Sequence, residues 1–126
     1  MSNKRTGNVY WANSRKIDKT DIKPRRQYAV VRDNGKYVKV SKIRGFNENI
    51  NNLDRLMELD QNKYSLSKRS GIDKKVYSQR VDNRKFLQLE DAEVFDIRPA
   101  FKMSSHDTHL AILHTRTNNK QKKGKK

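Results

Sequence analysis

The chain has 126 residues, the size of one ordinary domain, and contains no cysteine. Only 33% of its residues are hydrophobic and 35% are charged, so its core must be small and a large enzyme fold is excluded. No stretch approaches the roughly 20 apolar residues that cross a bilayer, and the first residues lack the apolar segment of a signal peptide. We therefore expect a soluble cytoplasmic protein with no membrane partner, no disulfide and no cofactor.

The charge is strongly positive and unevenly distributed. There are 30 Lys and Arg against 14 Asp and Glu, a net charge of +16. Residues 1–44 carry a net charge of +10, residues 45–115 are balanced, and residues 116–126 add +6. A concentrated field of one sign attracts polyanions, so nucleic acid is the first partner to consider and an anionic membrane the second.

The composition divides the chain into three segments. Residues 1–6 are predicted to be a disordered N-terminus, residues 7–115 a single folded domain, and residues 116–126 a disordered basic tail. The tail has no apolar residue to bury. It could serve as a tether for phosphates or only as a solubilising extension.

Residues 27–41 predict a β-hairpin. Asn34-Gly35 lies between two β-rich runs, and both residues tolerate the positive φ of a tight hairpin turn. With these two as the loop residues, the predicted cross-strand pairs are Arg32 with Tyr37, Val31 with Val38, Ala29 with Val40, and Tyr28 with Ser41.

This register gives the hairpin two different faces, because side chains alternate along a strand. The apolar face would carry Ala29, Val31, Val38 and Val40. The other face would carry Tyr28, Val30, Arg32, Tyr37, Lys39 and Ser41. Aromatic rings among cations can stack bases while they neutralise phosphates, although a solvated face of cross-strand Tyr and Lys pairs has the same composition.

The remaining elements are predicted to be short. Further strands are predicted at residues 8–12, 75–81, 85–89 and 92–97, with residues 55–60 either a strand or a helical turn. A loop through Asp18, Asp21 and Pro24 follows the first strand. Residues 104–107 offer caps for a short helix that carries residues 110–113. Short strands with little helix indicate a small antiparallel barrel or rolled sheet.

Three motifs in order resemble the PemK and MazF type of plasmid-addiction toxin. Residues 7–11 (Gly-Asn-Val-Tyr-Trp) are similar to the opening strand of that family. Arg25-Arg26 precedes an apolar strand, as the family's Arg-Pro does, with Gln27 in the place of proline. Residues 70–78 (Ser-Gly-Ile-Asp-Lys-Lys-Val-Tyr-Ser) are similar to a later Thr/Ser-Gly-Leu stretch.

The resemblance implies an SH3-like barrel that forms a homodimer, cleaves single-stranded RNA without metal and is inhibited by an antitoxin. By position it implies Arg26 as the catalytic arginine, with Arg25 beside it. The nearest hydroxyl to the family's catalytic threonine is Ser41, and Arg44 stands in the threonine's own place. Arginine suits this chemistry, because its planar fork bonds two phosphate oxygens while staying charged.

The sequence therefore leaves two functions open. One is an endoribonuclease with Arg26 and Ser41 as catalytic residues. The other is a non-catalytic RNA- or DNA-binding module of a plasmid or phage accessory protein. The candidate nucleic-acid contacts for either are Arg25, Tyr28, Arg32, Tyr37, Lys39, Lys42 and Arg44.

Other conspicuous residues receive structural interpretations. His106 and His109 have a spacing that suits a metal on a helix, but no third ligand is evident and no metal site is predicted. Gly71 is interpreted as a turn residue. Trp11 could stack a base, but in a chain with few large apolar residues we expect it in the core.

Overall fold

The computed structural model describes residues 5–46, 55–80, 94–96 and 98–124, with side chains of the last helix described as far as Arg116. Within these residues the strands are β1 (Asn8–Asn13), β2 (Arg25–Asp33), β3 (Tyr37–Gly45), β4 (Leu56–Leu59), β5 (Ser70–Asp73), β6 (Tyr77–Arg80) and β7 (Phe101–Lys102). The helices are α1 (Ser14–Ile17) and α2 (Ser105–Gly124).

The strands form one curled antiparallel sheet, which confirms the predicted mainly β fold with a C-terminal helix. Their order is β4-β5-β3-β2-β1-β7, and β6 lies beside β3. On the side of β3 away from β2, its first half pairs with β6 and its second half with β5. The sheet curls into half of a barrel. β3 lies at its centre, because β2 pairs along one edge of β3 and both β5 and β6 pair along the other.

The hairpin of β2 and β3 is confirmed, but its predicted register is wrong. Ala29 pairs with Ser41, Val30 with Val40, Arg32 with Lys39, and Asp33 with Val38. The backbone N–H of Asn34 donates to the carbonyl of Tyr37 at 3.1 Å, so Gly35 and Lys36 are the central turn residues. Of these two residues, only Gly35 has a positive φ, +96°. A positive φ at the first central position is typical of a type II′ turn.

A bulge at Val31 also changes the predicted faces of the hairpin. The register shifts between Val30 and Arg32, so two residues of β2 oppose one of β3. Tyr28 and Val30, predicted on the polar face, are fully buried. The prediction of one apolar face is wrong because both faces of β2 are covered.

Two hydrophobic cores result. The Tyr28 core contains Tyr10, Ala12, Tyr28, Val30, Val38, Val40 and Phe95. The α2 core, on the opposite face, contains Val9, Ala29, Val31, Ile43, Leu59, Ile72, Met103 and Ala111. The alternation of Val9 and Tyr10 along β1 supplies one side chain to each core.

The predicted caps of α2 are present. The backbone N–H of Asp107 donates to Ser104 Oγ at 3.1 Å, which satisfies one of the free donors at the helix start. Ala111 is the fully buried residue of the predicted apolar run, whereas Leu110 and Leu113 are partly exposed. The disordered tail predicted for residues 116–126 stays a prediction.

The other predicted elements have mixed outcomes. Strands near residues 8–12 and 75–81 are confirmed, and residues 55–60 contain a strand. The loop predicted after β1 includes the short helix α1. The strand predicted at residues 85–89 lies outside the described residues; of the one predicted at 92–97, Phe95 forms an isolated bridge with Ala12.

Ordered structure begins earlier than predicted. Arg5, assigned to the flexible N-terminus, donates from Nε and a terminal guanidinium nitrogen to the two carboxylate oxygens of Asp33, at 2.7 and 2.8 Å. Both residues are buried. Burial favours the neutral carboxyl, but hydrogen bonds from Arg5 and from the backbone outweigh it and lower the pKa of Asp33.

Gly71 lies within β5 and not in the predicted turn, and it permits close approach of β4. A Cβ built there would lie 2.8 Å from the carbonyl oxygen of Met57. We expect Gly71→Ala to lower the free energy of unfolding by about 1–3 kcal/mol, because backbone atoms cannot move aside cheaply. Urea denaturation measures this change.

Gly45→Ala is the matched control. A Cβ at Gly45 would meet the far end of the flexible Lys68 side chain, which can turn away. Equal destabilisation by both substitutions would show that the contact of Gly71 with β4 is unimportant.

Candidate nucleic-acid interface

A groove of about 580 Å³ lies at one end of the sheet. We call it the Trp11 groove. Its lining residues come from β1, the β1–β2 connection, β2, β3, the segment 64–68, β5 and the start of β7: Trp11, Lys23, Arg25, Arg26, Gln27, Ile43, Gly45, Tyr64, Ser65, Leu66, Ser67, Lys68, Ser70, Ala100 and Phe101. Four of these are cations and none is acidic.

Trp11 is 41% exposed in this groove, so the expectation that it belongs to the core is wrong. On β1, Tyr10 and Ala12 face the Tyr28 core and Val9 faces the α2 core. Trp11 lies on the same face as Val9 but beyond the α2 core. The guanidinium of Arg25 lies 5.9 Å from its ring centroid, within cation–π range.

The second wall of the groove is aromatic and held in place. Tyr64 and Phe101 stack with ring centroids 5.0 Å apart. The hydroxyl of Tyr64 donates to the carboxylate of Asp107 and accepts from the backbone N–H of Ser104 at 2.9 Å. The start of α2 therefore fixes Tyr64. The end of the Lys68 side chain lies against Gly45 in the same groove.

Arg26 reaches the groove but is committed to a buried network. Its Nε donates to Asp21 Oδ2 at 2.7 Å, and the residue is 5% exposed. Lys42, predicted to contact phosphate, lies 2.7 Å from Asp18 Oδ2 and 3.1 Å from Asp21 Oδ2. Two carboxylates from the β1–β2 connection thus neutralise two cations of the sheet.

Three hydroxyls complete this assembly, which we call the Asp21 network. Ser14 donates to Asp21 and shares a hydrogen bond with the hydroxyl of Tyr28. Tyr77 donates to Asp18 at 3.1 Å. The network consists of Ser14, Asp18, Asp21, Arg26, Tyr28, Lys42 and Tyr77.

The network shifts the titration of its members. The hydrogen bond from Lys42 lowers the pKa of Asp18. Burial would raise the pKa of Asp21, but bonds from Arg26, Ser14, the backbone of Lys23 and Lys42 outweigh it, so that this pKa is also lowered. Burial raises the pKa of Tyr28 to about 12 and raises that of Tyr77. At neutral pH both carboxylates are charged and both phenols are protonated, so neither phenol is a ready base.

The other predicted hydroxyl, Ser41, lies away from the groove. It is fully buried, and its Oγ donates to the carbonyl of Lys75 at 2.9 Å. Arg44, in the place of the family's threonine, lies 3.3 Å from the carboxylate of Asp73, which also accepts from Arg55 at 2.9 Å. Arg26 and Ser41 are therefore not brought together in one open site.

Arg32, Tyr37 and Lys39 form a separate exposed surface on the hairpin. No ion pair joins Arg32 or Lys39 to another described residue. The predicted contacts are thus distributed among the groove (Arg25, which also pairs with Asp96 at 2.9 Å), the buried network (Tyr28, Lys42), an ion pair with Asp73 (Arg44) and this surface.

The histidines do not form a metal site in the part of the chain that the structure describes, where no group of three metal-ligating side chains occurs. His106 and His109 are exposed. His114 Nε2 lies 2.8 Å from the carbonyl oxygen of Arg55 and joins α2 to the start of β4.

Sequence reasoning missed the second wall of the groove. The segment 64–68 and Phe101 are distant in sequence and share no periodicity, so only the folded sheet brings them together. A tyrosine between lysines in the polar segment 61–68 is a sequence signal that could have indicated a binding wall.

Neither family models nor curated proteins match this chain. Among the described residues, no helix has the length and apolar character needed to span a membrane.

The Asp21 network predicts a specific pH dependence of stability. A carboxyl whose folded pKa lies below its ordinary value of about 3.9 contributes stability above that value and loses it as the pH falls through the folded pKa. We therefore expect the free energy of unfolding to fall as the pH drops from about 5 to about 2, by about 1.4 kcal/mol for each unit of pKa shift.

The double variant Asp21→Asn/Arg26→Gln is the control. It removes both charges of one pair at similar volume, so its stability should fall less steeply over the same range in denaturation at fixed pH values. Parallel curves for the variant and the unaltered protein would contradict the assignment of this pH dependence to Asp21.

Proposed function

We propose that the protein binds single-stranded nucleic acid, with RNA as the first candidate, in the Trp11 groove and without chemistry of its own. The observation that supports this proposal best is the exposure of Trp11, which is 41% exposed with the guanidinium of Arg25 over its ring. The lining of the groove around it has four cations and no acidic residue. Stacking rings together with cations are what single-strand binding requires, because every base has a π face and every linkage a negative charge.

The groove offers separate partners for bases and phosphates. Trp11 and the stacked pair of Tyr64 and Phe101 are available to bases. Lys23, Arg25 and Lys68 are near enough to the same space to contact phosphates. The net charge of +16 favours fast encounter and a strong dependence of affinity on salt.

Trp11 is the single tryptophan of the chain, so its fluorescence reports on the groove directly. We expect a short single-stranded RNA to quench this fluorescence in a saturable titration. Trp11→Ala should weaken binding by about 1–3 kcal/mol, roughly 5- to 150-fold, and Trp11→Phe should retain most of the affinity. Anisotropy of labelled RNA measures both variants.

Leu110→Ala is the control, since Leu110 is exposed to a similar extent on α2 and does not line the groove. Binding without any change in Trp11 fluorescence, or equal losses for Trp11→Ala and Leu110→Ala, would contradict the groove as the binding site. The same titration with DNA of equal sequence tests the preference for RNA.

A metal-independent endoribonuclease, which the resemblance implies, is the second candidate. One observation favours it: Arg26 is among the residues that line the groove in which RNA would lie. The buried hydroxyl of Ser41 and the ion pair of Arg26 with Asp21 favour binding over cleavage.

Incubation of labelled single-stranded RNA in EDTA separates the two candidates. We expect wild-type protein to shift the mobility of the RNA and leave it intact. Discrete cuts that disappear in Asp21→Asn/Arg26→Gln, and persist in Ser41→Ala, would instead establish cleavage that depends on Arg26. The double variant avoids leaving Asp21 as an unpaired buried charge, which would confuse misfolding with lost chemistry.

The resemblance also implies a homodimer and an inhibiting antitoxin, and both remain proposals, as does the cytoplasmic location expected from the sequence. Light scattering of the purified protein tests the first. Growth arrest on production in a bacterium, relieved by a co-produced partner, would support the second.

A further inference from the structure

Five exposed side chains form a second basic surface away from the Trp11 groove. We call it the hairpin patch, and its members are Arg32, Tyr37, Lys39, Arg80 and Arg116. Arg32 is directly opposite Lys39 across β2 and β3, and Tyr37 is directly opposite Arg80 across β3 and β6. Arg116 of α2 lines the same shallow depression as Arg32 and Lys39.

The bulge in β2 creates this surface. Strict alternation would place Val31 and Arg32 on opposite faces, but both line the depression with Lys39 and Ile112. The register shift at Val31 turns Arg32 toward the α2 face, where it meets Lys39. A regular strand would have left the two cations on different sides of the sheet.

This arrangement costs stability in the free protein. Like charges directly opposite each other in antiparallel strands repel, and Arg116 adds a third cation beside them. Elsewhere in the described chain, cations such as Arg5, Arg26 and Lys42 have carboxylate partners. No described carboxylate pairs with Arg32, Lys39, Arg80 or Arg116.

The patch and the groove lie along the same strand. Gln27 lines the groove and Val31 lines the patch, four residues further on the α2 face of β2, roughly 13 Å away. Ala29 between them is covered by the α2 core. The sequence beyond Arg116 adds five lysines.

We propose that the hairpin patch is a second phosphate-binding surface, which takes the backbone of a nucleic-acid segment that continues from the Trp11 groove. This inference rests on the proposed function. It makes the preferred ligand a single strand longer than the groove alone can hold. A nucleic-acid backbone fits the patch better than a membrane, since its exposed members are four cations and one tyrosine, while Val31 and Ile112 of the depression are buried or half-buried.

The test compares Arg32→Gln/Lys39→Gln with the control Lys19→Gln/Lys102→Gln. Both remove two exposed positive charges, and neither control residue lines the groove or the patch. The ligands are single-stranded RNAs of about 5 and about 20 nucleotides.

For the longer RNA, the affinity of the patch variant should depend less steeply on salt. The magnitude of the slope of log affinity against log salt should fall by about 1.4, which is about 0.7 for each of the two lost phosphate contacts. The shorter RNA should bind and quench Trp11 as before. The patch variant should also unfold at a higher urea concentration than wild type, because the opposed charges are gone. The control variant should show neither the weaker salt dependence nor the higher urea midpoint.

Four results would overturn the proposal. Equal changes of the salt slope in the patch variant and the control variant would show that the patch acts only through the net charge of the protein. Normal binding of the short RNA with an unchanged slope for the long one would refute the patch and leave the groove intact, whereas no binding of either RNA refutes both. Loss of binding to phosphatidylserine vesicles, with RNA binding unchanged, would assign the patch to a membrane surface instead.

Discussion

The carboxylate of Asp21, buried between Arg26 and Lys42, is the interaction on which the arrangement of the sheet end depends. Arg26 and Lys42 lie on the adjacent strands β2 and β3, and two buried cations there would repel each other without compensation. Asp18 and Asp21 supply that compensation from the β1–β2 connection, which is thereby fixed against the sheet. Arg15 adds bonds to the carbonyls of Asp21 and Ile22 at 3.1 and 3.0 Å. The position of Lys23 in the groove follows from this anchoring.

The network also determines which cations remain available to a ligand. Arg26 and Lys42, the most deeply placed of the predicted contacts, are neutralised from within the chain. Lys23 and Lys68 in the Trp11 groove and the cations of the hairpin patch are not members of this network and can meet a polyanion. A protein arranged in this way offers rings and cations in its groove, whereas its predicted catalytic pair is separated, with Ser41 buried and Arg26 bound to Asp21. That combination is the physical basis for favouring binding over cleavage.

Local signals predicted the fold well, and the site only in part. Asn34-Gly35 predicted the hairpin and Ser104 the cap of α2, because both depend on residues close in sequence. The register was missed because Gly35 alone takes the positive φ and the bulge at Val31 has no sequence signature. The ion pair of Lys42 with Asp18 joins residues 24 apart, and the aromatic wall of the groove comes from the distant segments 64–68 and 100–101. No periodicity encodes such contacts, so Trp11 was assigned to the core and Arg26 to an open site.

The most direct test of the central claim is photo-crosslinking of the protein to RNA that contains 4-thiouridine, with the modified residues mapped by mass spectrometry. Binding in the groove predicts adducts at Trp11, Tyr64 or Phe101, which salt-resistant stacking brings within bonding distance of a base. Adducts restricted to the basic tail or to surfaces outside the groove, at saturating RNA, would contradict the account.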